Sequence, residues 1–210
     1  MMKLILKRFT VGPIREHPYL LISSSDAAVI DPGGGVESIL EELEKHQARL
    51  KYILLTHGHP DHILATGSLK KATGAKIGIC QDDLVQLNLD WSKWAGNFPE
   101  LEISIGQPDF FVKESGKIEF GTIKLEVIYT PGHSPGSVCY YESENKCLFS
   151  GDTLFAEGSV GRTDLPGSEP AEMVKSIFKL LKLPSETTIY PGHGISSTIA
   201  KETLAHRSFR

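Results

Sequence analysis

The chain has 210 residues, 40% of them hydrophobic and 23% charged, with a formal net charge of −4. This length and composition fit a globular protein that can bury enough apolar surface to fold without stabilisation by disulfide bonds or a structural metal ion. The mild acidity and the lack of a basic run argue against binding to nucleic acid or to an anionic membrane.

Neither the cysteines nor the apolar segments point to export or to a membrane. Cys80, Cys139 and Cys147 are odd in number and form no paired motif, so a disulfide framework is not expected. No segment approaches the roughly 20 apolar residues of a membrane span, and the first residues lack an apolar run of signal-peptide length. We therefore predict a cytoplasmic protein without a membrane partner.

Short runs rich in β-forming residues dominate the first third of the chain. They predict strands at residues 4–9, 19–23, 27–30 and 52–55. Before the last of these strands, apolar residues recur at helical spacing and predict an amphipathic helix. These residues are Val36, Ile39, Leu40 and Leu43. A second helix is predicted to begin near Asp61.

The later part of the chain resumes this alternation after an irregular stretch. Asp82 and Asp83 can begin a helix that runs to Leu89, and residues 91–108 are expected to form an irregular flap over a site. Further strands are predicted at residues 110–112, 123–129, 137–141, 146–150 and 188–190, and helices at residues 170–181 and 198–206.

Strands followed by helices, twice over, predict two sheets packed together with the helices outside. No linker-like stretch separates the two halves, so we predict a single domain over residues 1–210.

Three histidines and an aspartate lie close together directly after the apolar run that ends at Leu55. His57 and His59 are two residues apart and point to the same side in extended backbone. Asp61 and His62 follow at the predicted helix start, where the turn can direct them to the same space. Imidazole and carboxylate suit zinc, iron or manganese. The alternative is a chance cluster of polar residues in a loop. The position of the four residues directly after a buried strand disfavours this alternative.

Three later polar residues have the same setting. His133, Asp152 and His193 each come just after a predicted strand, beside glycine or proline that can form a tight turn. Taken alone, either histidine is more typical of a structural or surface position, and the aspartate of a turn cap. Four strand-end positions of the same kind predict one shared site.

The order and spacing of these residues resemble the signature of the metallo-β-lactamase superfamily. The matching pattern is His-x-His-x-Asp-His, then Gly-His, then Gly-Asp, then Gly-His, over nearly the whole chain. The resemblance implies an α/β fold, a four-layer αββα sandwich with the metals at one edge. It also implies that the first metal would be held by His57, His59 and His133, the second by Asp61, His62 and His193, and that Asp152 would bridge both.

Two segments resemble particular groups of enzymes within this superfamily. Residues 158–164 resemble the corresponding loop of glyoxalase II-like hydrolases and of persulfide dioxygenases. The ending Pro191-Gly192-His193-Gly194 resembles the short, single-domain glyoxalase II (hydroxyacylglutathione hydrolase) group, whereas persulfide dioxygenases usually carry alanine before the last histidine. Larger glyoxalase II enzymes have a C-terminal helical domain that helps to bind glutathione, and 17 residues follow His193 here.

The chemistry implied is hydrolysis of a small-molecule thioester, with S-D-lactoylglutathione or a related hydroxyacylglutathione as the substrate. We expect two divalent metal ions, zinc first and iron or manganese as alternatives, which activate water and polarise a carbonyl. Asp61 would be both ligand and orienter of the nucleophile. Arg162 could bind a substrate carboxylate through its guanidinium, or it could instead pair with Asp164.

Other functions remain as alternatives. The main one is a persulfide dioxygenase that acts on glutathione persulfide with one iron held by His57, His133 and Asp152. β-Lactamases of this fold usually lack a histidine after Asp61, whereas His62 is present here. The nucleases need a basic arm, which the sequence does not show. A non-enzymatic interaction module would not need seven intact ligand positions.

Overall fold

Two six-stranded sheets form the centre of the computed structural model, which describes residues 4–91 and 105–209. The strands of the first sheet are β1 (Ile5–Arg8), β2 (Tyr19–Ser23), β3 (Asp26–Ile30), β4 (Arg49–Leu54), β5 (Lys76–Cys80) and β6 (Phe110–Val112). They lie side by side in chain order. The pairs β1–β2 and β2–β3 are antiparallel, and the pairs from β3 to β6 are parallel.

The second sheet is built from the later half of the chain. Its strands are β7 (Lys117–Phe120), β8 (Ile123–Tyr129), β9 (Val138–Glu142), β10 (Cys147–Gly151), β11 (Thr188–Pro191) and β12 (Ser197–Thr198). They also lie in chain order, and every pair is antiparallel except β10 and β11, which are parallel.

Helices cover the outer faces of both sheets. They are α1 (Val36–Lys45), α2 (Pro60–Ile63), α3 (Thr66–Thr73), α4 (Pro170–Leu180) and α5 (Ile199–Ala205), with 3₁₀ helices at Gln81–Asn88 and His206–Phe209. In α1 the helical spacing buries Ile39 and Leu43 on one face. Among the described residues, no helix has the length and hydropathy needed to cross a bilayer.

Three apolar clusters hold the four layers together. Leu21 and Leu54 of the first sheet pack between the sheets with residues such as Leu125 of the second. A second cluster joins the first sheet to α1 and α3, and a third joins the second sheet to α4. Both faces of the central strands are therefore covered, which explains why β2 and β10 are buried along their whole length. The predicted αββα sandwich is confirmed.

Several predicted elements differ in detail. The helix predicted near Asp61 is divided into α2 and α3, and the helix predicted from Asp82 or Asp83 to Leu89 is a 3₁₀ helix at Gln81–Asn88. The sequence pattern does not predict β5, β7 or β12. The predicted flap at residues 91–108 falls largely on residues 92–104, outside the described residues. The three cysteines are free and buried, as expected.

The strand directions bring four loops to one edge of the sandwich. The C-terminal ends of β8, β10 and β11 meet there because β9 runs opposite to β8 and β10, and β11 runs parallel to β10. The end of β4 in the other sheet is tied to the same edge. The amide of Val138 donates to the carbonyl of Thr56 at 2.9 Å, and the Tyr140 hydroxyl donates to the carbonyl of Leu55 at 2.9 Å.

Candidate metal centre

The loop after β4 directs its polar side chains through a proline-initiated turn. His59 has φ −71° and ψ 145°, and Pro60 occupies the first turn of α2. Proline favours extended backbone in the residue before it and is well suited to the start of a helix. The dipeptide His59-Pro60 therefore ends the extended stretch and places Asp61 and His62 on a helical turn.

Three histidines form one compact group, which we call the first triplet (His57, His59 and His133). One ring nitrogen from each lies within 4.8 Å of the others, and all three side chains are buried. The ring centroids of His57 and His133 are 4.8 Å apart, although His57 follows a strand of the first sheet and His133 follows a strand of the second.

A second group lies beside the first, and we call it the second triplet (Asp61, His62 and His193). Its ligand-type atoms also lie within 4.8 Å of one another. Asp61 Oδ2 is 3.1 Å from Nε2 of His193 and 3.4 Å from Nε2 of His62.

Asp152 lies between the two triplets. Its Oδ1 is 3.3 Å from Nε2 of His62, in the second triplet. Its Oδ2 is 3.6 Å from Nε2 of His133 and 3.7 Å from Nε2 of His193. All seven residues singled out in the sequence as metal ligands thus lie in one place, with one carboxylate facing both groups.

The outer nitrogens of the histidines are fixed by protein acceptors. Nδ1 of His133 donates to the carbonyl of Arg162 at 2.8 Å, and Nδ1 of His193 donates to the carbonyl of Ile14 at 3.2 Å. Nδ1 of His62 donates to Asp31 at 3.0 Å. In each case Nε2 is left to face the cluster. Metal-binding histidines are typically oriented in this way, by a hydrogen bond from the ring nitrogen that does not bind the metal.

Several of the converging atoms are buried without a hydrogen-bond partner. They are Nε2 of His57, His59, His62 and His133, and Oδ1 of Asp152. Buried polar atoms normally have a bonding partner. A group of unpaired ones directed at the same point therefore indicates a binding site for a ligand that all of them contact. Neutral imidazole and carboxylate are donors for divalent transition metals. The residues present therefore fit metal ions.

The electrostatics of the first triplet favour neutral rings. Burial, helped by the neighbouring His62, holds the pKa of His57 well below its usual range. Burial and the neighbouring His133 lower the pKa of His59 to about 3. Both rings are therefore in the form that binds metal at neutral pH.

The second triplet attracts positive charge. Burial opposes protonation of His62, but Asp61 and Asp152 outweigh it and raise its pKa well above the ordinary value. Burial would raise the pKa of Asp152, yet His62 and His193 reverse the shift and hold that carboxyl well below its usual range. The two carboxylates thus attract positive charge, either protons or a bound cation.

The lowered pKa of His59 predicts how the stability of the metal-free protein depends on pH. Its folded pKa is about 3, against an ordinary value of 6.5, so its stabilising effect is present above pH 6.5 and is lost as pH falls towards 3. His59→Gln removes this titration. Between pH 6 and 4 the unfolding free energy of the chelated wild type should fall more steeply than that of the variant, by roughly 1 kcal/mol per pH unit. Denaturant unfolding of both proteins measures this, and equal slopes would contradict it.

A cavity of about 360 Å³ opens over the cluster. Apolar side chains form much of its wall, namely Ile14, Trp91, Phe155, Val160 and Leu165. Arg162 also lines it, but its guanidinium makes two hydrogen bonds to the Asp164 carboxylate, at 2.9 and 2.8 Å. Both side chains of this pair are exposed. The ion pair considered from the sequence is thus present, at the rim of the cavity.

Asp31 is a supporting residue that the sequence analysis missed. It accepts hydrogen bonds from the Thr56 amide at 2.7 Å and from Nδ1 of His62 at 3.0 Å. It could join His57 and His62 as a ligand group, but its bond to Nδ1 of His62 gives it the role of orienting that ring. The sequence does carry a signal for it, because Asp31 also follows a strand and precedes proline and glycine.

The αββα sandwich and the cluster at its edge define a metal-binding protein with its site on loops between two sheets. The family model for the metallo-beta-lactamase superfamily matches residues 11–193. The chain therefore belongs to the metallo-β-lactamase superfamily.

Two curated relatives are similar over most of their length. The chain is 35% identical over 200 residues to YqgX of Bacillus subtilis, described as a probable metallo-hydrolase, with 93% of each chain covered. It is 36% identical over 179 residues to the hydroxyacylglutathione hydrolase GloC of Haemophilus influenzae, with 84% of each covered. These similarities support a metal-dependent hydrolase.

Three solved structures resemble the fold closely. The BLEG-1 B3 metallo-beta-lactamase is 34% identical with a TM-score of 0.86, covering 98% of this chain and 99% of that one. TTHA1623, solved in a di-iron-bound form, is 34% identical with a TM-score of 0.82, covering 95% and 98%. ETHE1 from Myxococcus xanthus is 25% identical with a TM-score of 0.78, covering 97% and 83%.

Proposed function

We propose that this chain is a dinuclear metallohydrolase that cleaves a small-molecule thioester, S-D-lactoylglutathione or a related hydroxyacylglutathione. The observation that carries the proposal is the pair of triplets sharing Asp152, because one metal ion would need only one of them. The similarity to hydroxyacylglutathione hydrolase GloC supports the thioester as substrate.

The first triplet would hold one divalent cation, the second triplet another, and Asp152 would contact both. When bound, the two cations lower the pKa of a water molecule towards neutrality and polarise the substrate carbonyl. Zinc is the first expectation from the histidine and carboxylate donors. The di-iron form of the similar TTHA1623 supports iron as an alternative, and manganese fits the same donors.

Asp61 is the residue placed to orient the attacking water. Its carboxylate lines the cavity, with Oδ2 at 3.1 Å from Nε2 of His193. Burial would raise the pKa of Asp61, but His62 and His193 outweigh burial and lower it. The carboxylate is therefore ionised at neutral pH and can accept a hydrogen bond from water beside the cluster. A thiolate leaving group needs little protonation, so the reaction does not require a general acid.

A persulfide dioxygenase is the second candidate, and the likeness to ETHE1 favours it. Gly192 argues for the hydrolase. A Cβ at this position would lie 2.5 Å from Oδ1 of Asp152 and 2.6 Å from Cε1 of His62, so the alanine usual in the dioxygenases has no room here.

Two assays on the same metal-loaded protein separate the candidates. The hydrolase should release free thiol from S-D-lactoylglutathione and consume no oxygen with glutathione persulfide. Oxygen uptake with the persulfide, together with no thiol release from the thioester, would overturn the proposal in favour of the dioxygenase.

Arg162 is proposed to bind a substrate carboxylate, and this requires it to leave Asp164. An exposed ion pair is worth about 0–1 kcal/mol, whereas a hydrogen bond to a charged group is worth about 1.5–3 kcal/mol. Substrate can therefore displace Asp164. The cost of breaking the ion pair is subtracted from the new bond, which leaves about 0.5–3 kcal/mol. Arg162→Ala should therefore raise KM roughly 2- to 150-fold at nearly unchanged kcat, by the rule of 1.4 kcal/mol per tenfold.

Steady-state kinetics of Arg162→Ala and Asp164→Asn, with metal content measured alongside, test this prediction. Asp164→Asn removes the competing carboxylate and should not raise KM. A thioester without the carboxylate should show no change with Arg162→Ala. If KM for the carboxylate-bearing substrate is unaltered in Arg162→Ala, the arginine does not bind the substrate and only pairs with Asp164.

A further inference from the structure

A buried carboxylate outside the ligand set joins the two loops that carry the first triplet. Asp83 lies in the 3₁₀ helix Gln81–Asn88 and has no exposed surface. Its Oδ2 accepts the backbone N–H of Gly58, and its Oδ1 accepts the backbone N–H of Gly136 at 2.7 Å. Gly58 separates His57 from His59, and Gly136 is in the loop that begins after β8 and carries His133.

Close packing fixes the same two loops against the 3₁₀ helix. A Cβ on Gly136 would lie 2.5 Å from the backbone nitrogen of Asp83. A Cβ on Gly58 would lie 2.9 Å from Cβ of Gln86 and 3.2 Å from the carbonyl oxygen of Asp83. Both loops thus approach this helix at a distance that only glycine allows.

The same short segment reaches two further parts of the site. The side-chain amide of Gln86 donates to the carbonyl of Pro166 at 3.0 Å, in the loop that also contains Arg162. The indole N–H of Trp91 donates to the carbonyl of Gln86 at 2.9 Å. The Trp91 ring packs on His59 with centroids 4.6 Å apart. The segment from Asp83 to Trp91 therefore contacts the loops that carry the first triplet and, through Trp91, the ring of His59.

We propose that Asp83 is a positioning residue for the first triplet, and this inference rests on the proposed metal centre. One carboxylate holds the loop of His57 and His59 and the loop of His133 at a fixed separation before a cation arrives. The second triplet has other supports, since Asp31 orients His62 and the carbonyl of Ile14 orients His193. Loss of Asp83 should therefore weaken one metal site and leave the other.

Asp83→Asn is the direct test. Asparagine keeps one acceptor but sets an NH₂ donor against the second backbone N–H. Metal-free full-length protein is titrated with Co²⁺ and followed by visible absorption. Because residues that hold metal ligands in place contribute about 10- to 100-fold to metal affinity, one of the two sites should weaken by about that factor, while the other stays close to wild type.

Glu142→Gln is the matched control. Glu142 is also buried and accepts two backbone N–H groups, those of Glu144 and Asn145, in the turn between β9 and β10. It should lose stability without changing Co²⁺ affinity at either site. Equal binding by wild type and Asp83→Asn, or equal weakening of both sites, would overturn the role of Asp83. Failure of the wild type to bind Co²⁺ would instead overturn the proposed function.

Amide exchange in the wild type covers the case in which Asp83→Asn does not fold. The N–H groups of Gly58 and Gly136 should exchange at least about 100-fold more slowly than unstructured amides in the metal-free protein, because Asp83 already holds them. Metal should add little further protection at these two positions. Exchange at the unstructured rate without metal would show that the loops are not held in advance and would overturn the inference.

Discussion

Asp152→Asn should lose metal and turnover together. Asp152 places Oδ1 near His62 of the second triplet and Oδ2 near His133 of the first, so its charge serves both metal sites. A neutral amide cannot compensate two cations. Cations contribute several kcal/mol to such reactions, and each 1.36 kcal/mol is tenfold in rate. We therefore expect kcat to fall by about a thousandfold or more.

Metal analysis and kinetics on the same preparation measure this effect. Glu142→Gln is a suitable control, since it alters a buried carboxylate at the other end of the second sheet and should keep full metal content and turnover. A folded Asp152→Asn protein with wild-type metal content and activity would contradict the bridging role.

Gly192→Ala should be the second most damaging change. The added Cβ would lie 2.5 Å from the buried Oδ1 atom of Asp152 and 2.6 Å from Cε1 of His62, whose side chain is fully buried. Neither can move without leaving the cluster. Because a displacement of about 1 Å can cost about 100-fold in rate, thioester hydrolysis should fall by about that factor or more. Metal content should shift from two ions towards one.

Ile195→Ala provides the comparison in the same loop. Ile195 is 63% exposed, and its truncation should leave both metal content and activity unchanged. If Gly192→Ala retains two metals and full activity, the loop can adjust around a methyl group. Gly192 would then no longer distinguish the hydrolase from the dioxygenase.

The strands and the individual ligand positions were predictable because their signals are local. His133, Asp152 and His193 each follow an apolar run and stand beside glycine or proline. Their convergence on His57 was not local, because it depends on strand order across two sheets. That convergence is implied by the resemblance to the metallo-β-lactamase superfamily and not by the local pattern.

What the sequence analysis missed depends on tertiary contacts. β12 has only two residues, and β5 contains a glycine that packs against Phe110, so neither presents a clear pattern of alternation. Asp83 was interpreted as the start of a helix, and nothing near it in the sequence shows that its carboxylate reaches Gly58 and Gly136. Its partners are 25 and 53 residues away along the chain.

The measurement that tests the central claim most directly is a metal titration of the chelated protein, with hydrolysis of S-D-lactoylglutathione followed at each addition. The claim is that two cations, held by the two triplets and shared by Asp152, are needed for thioester hydrolysis. Activity should be absent without metal, should rise with added zinc, iron or manganese, and should reach its plateau at two equivalents. Full activity in the chelated protein, or a plateau at one equivalent, would contradict the claim.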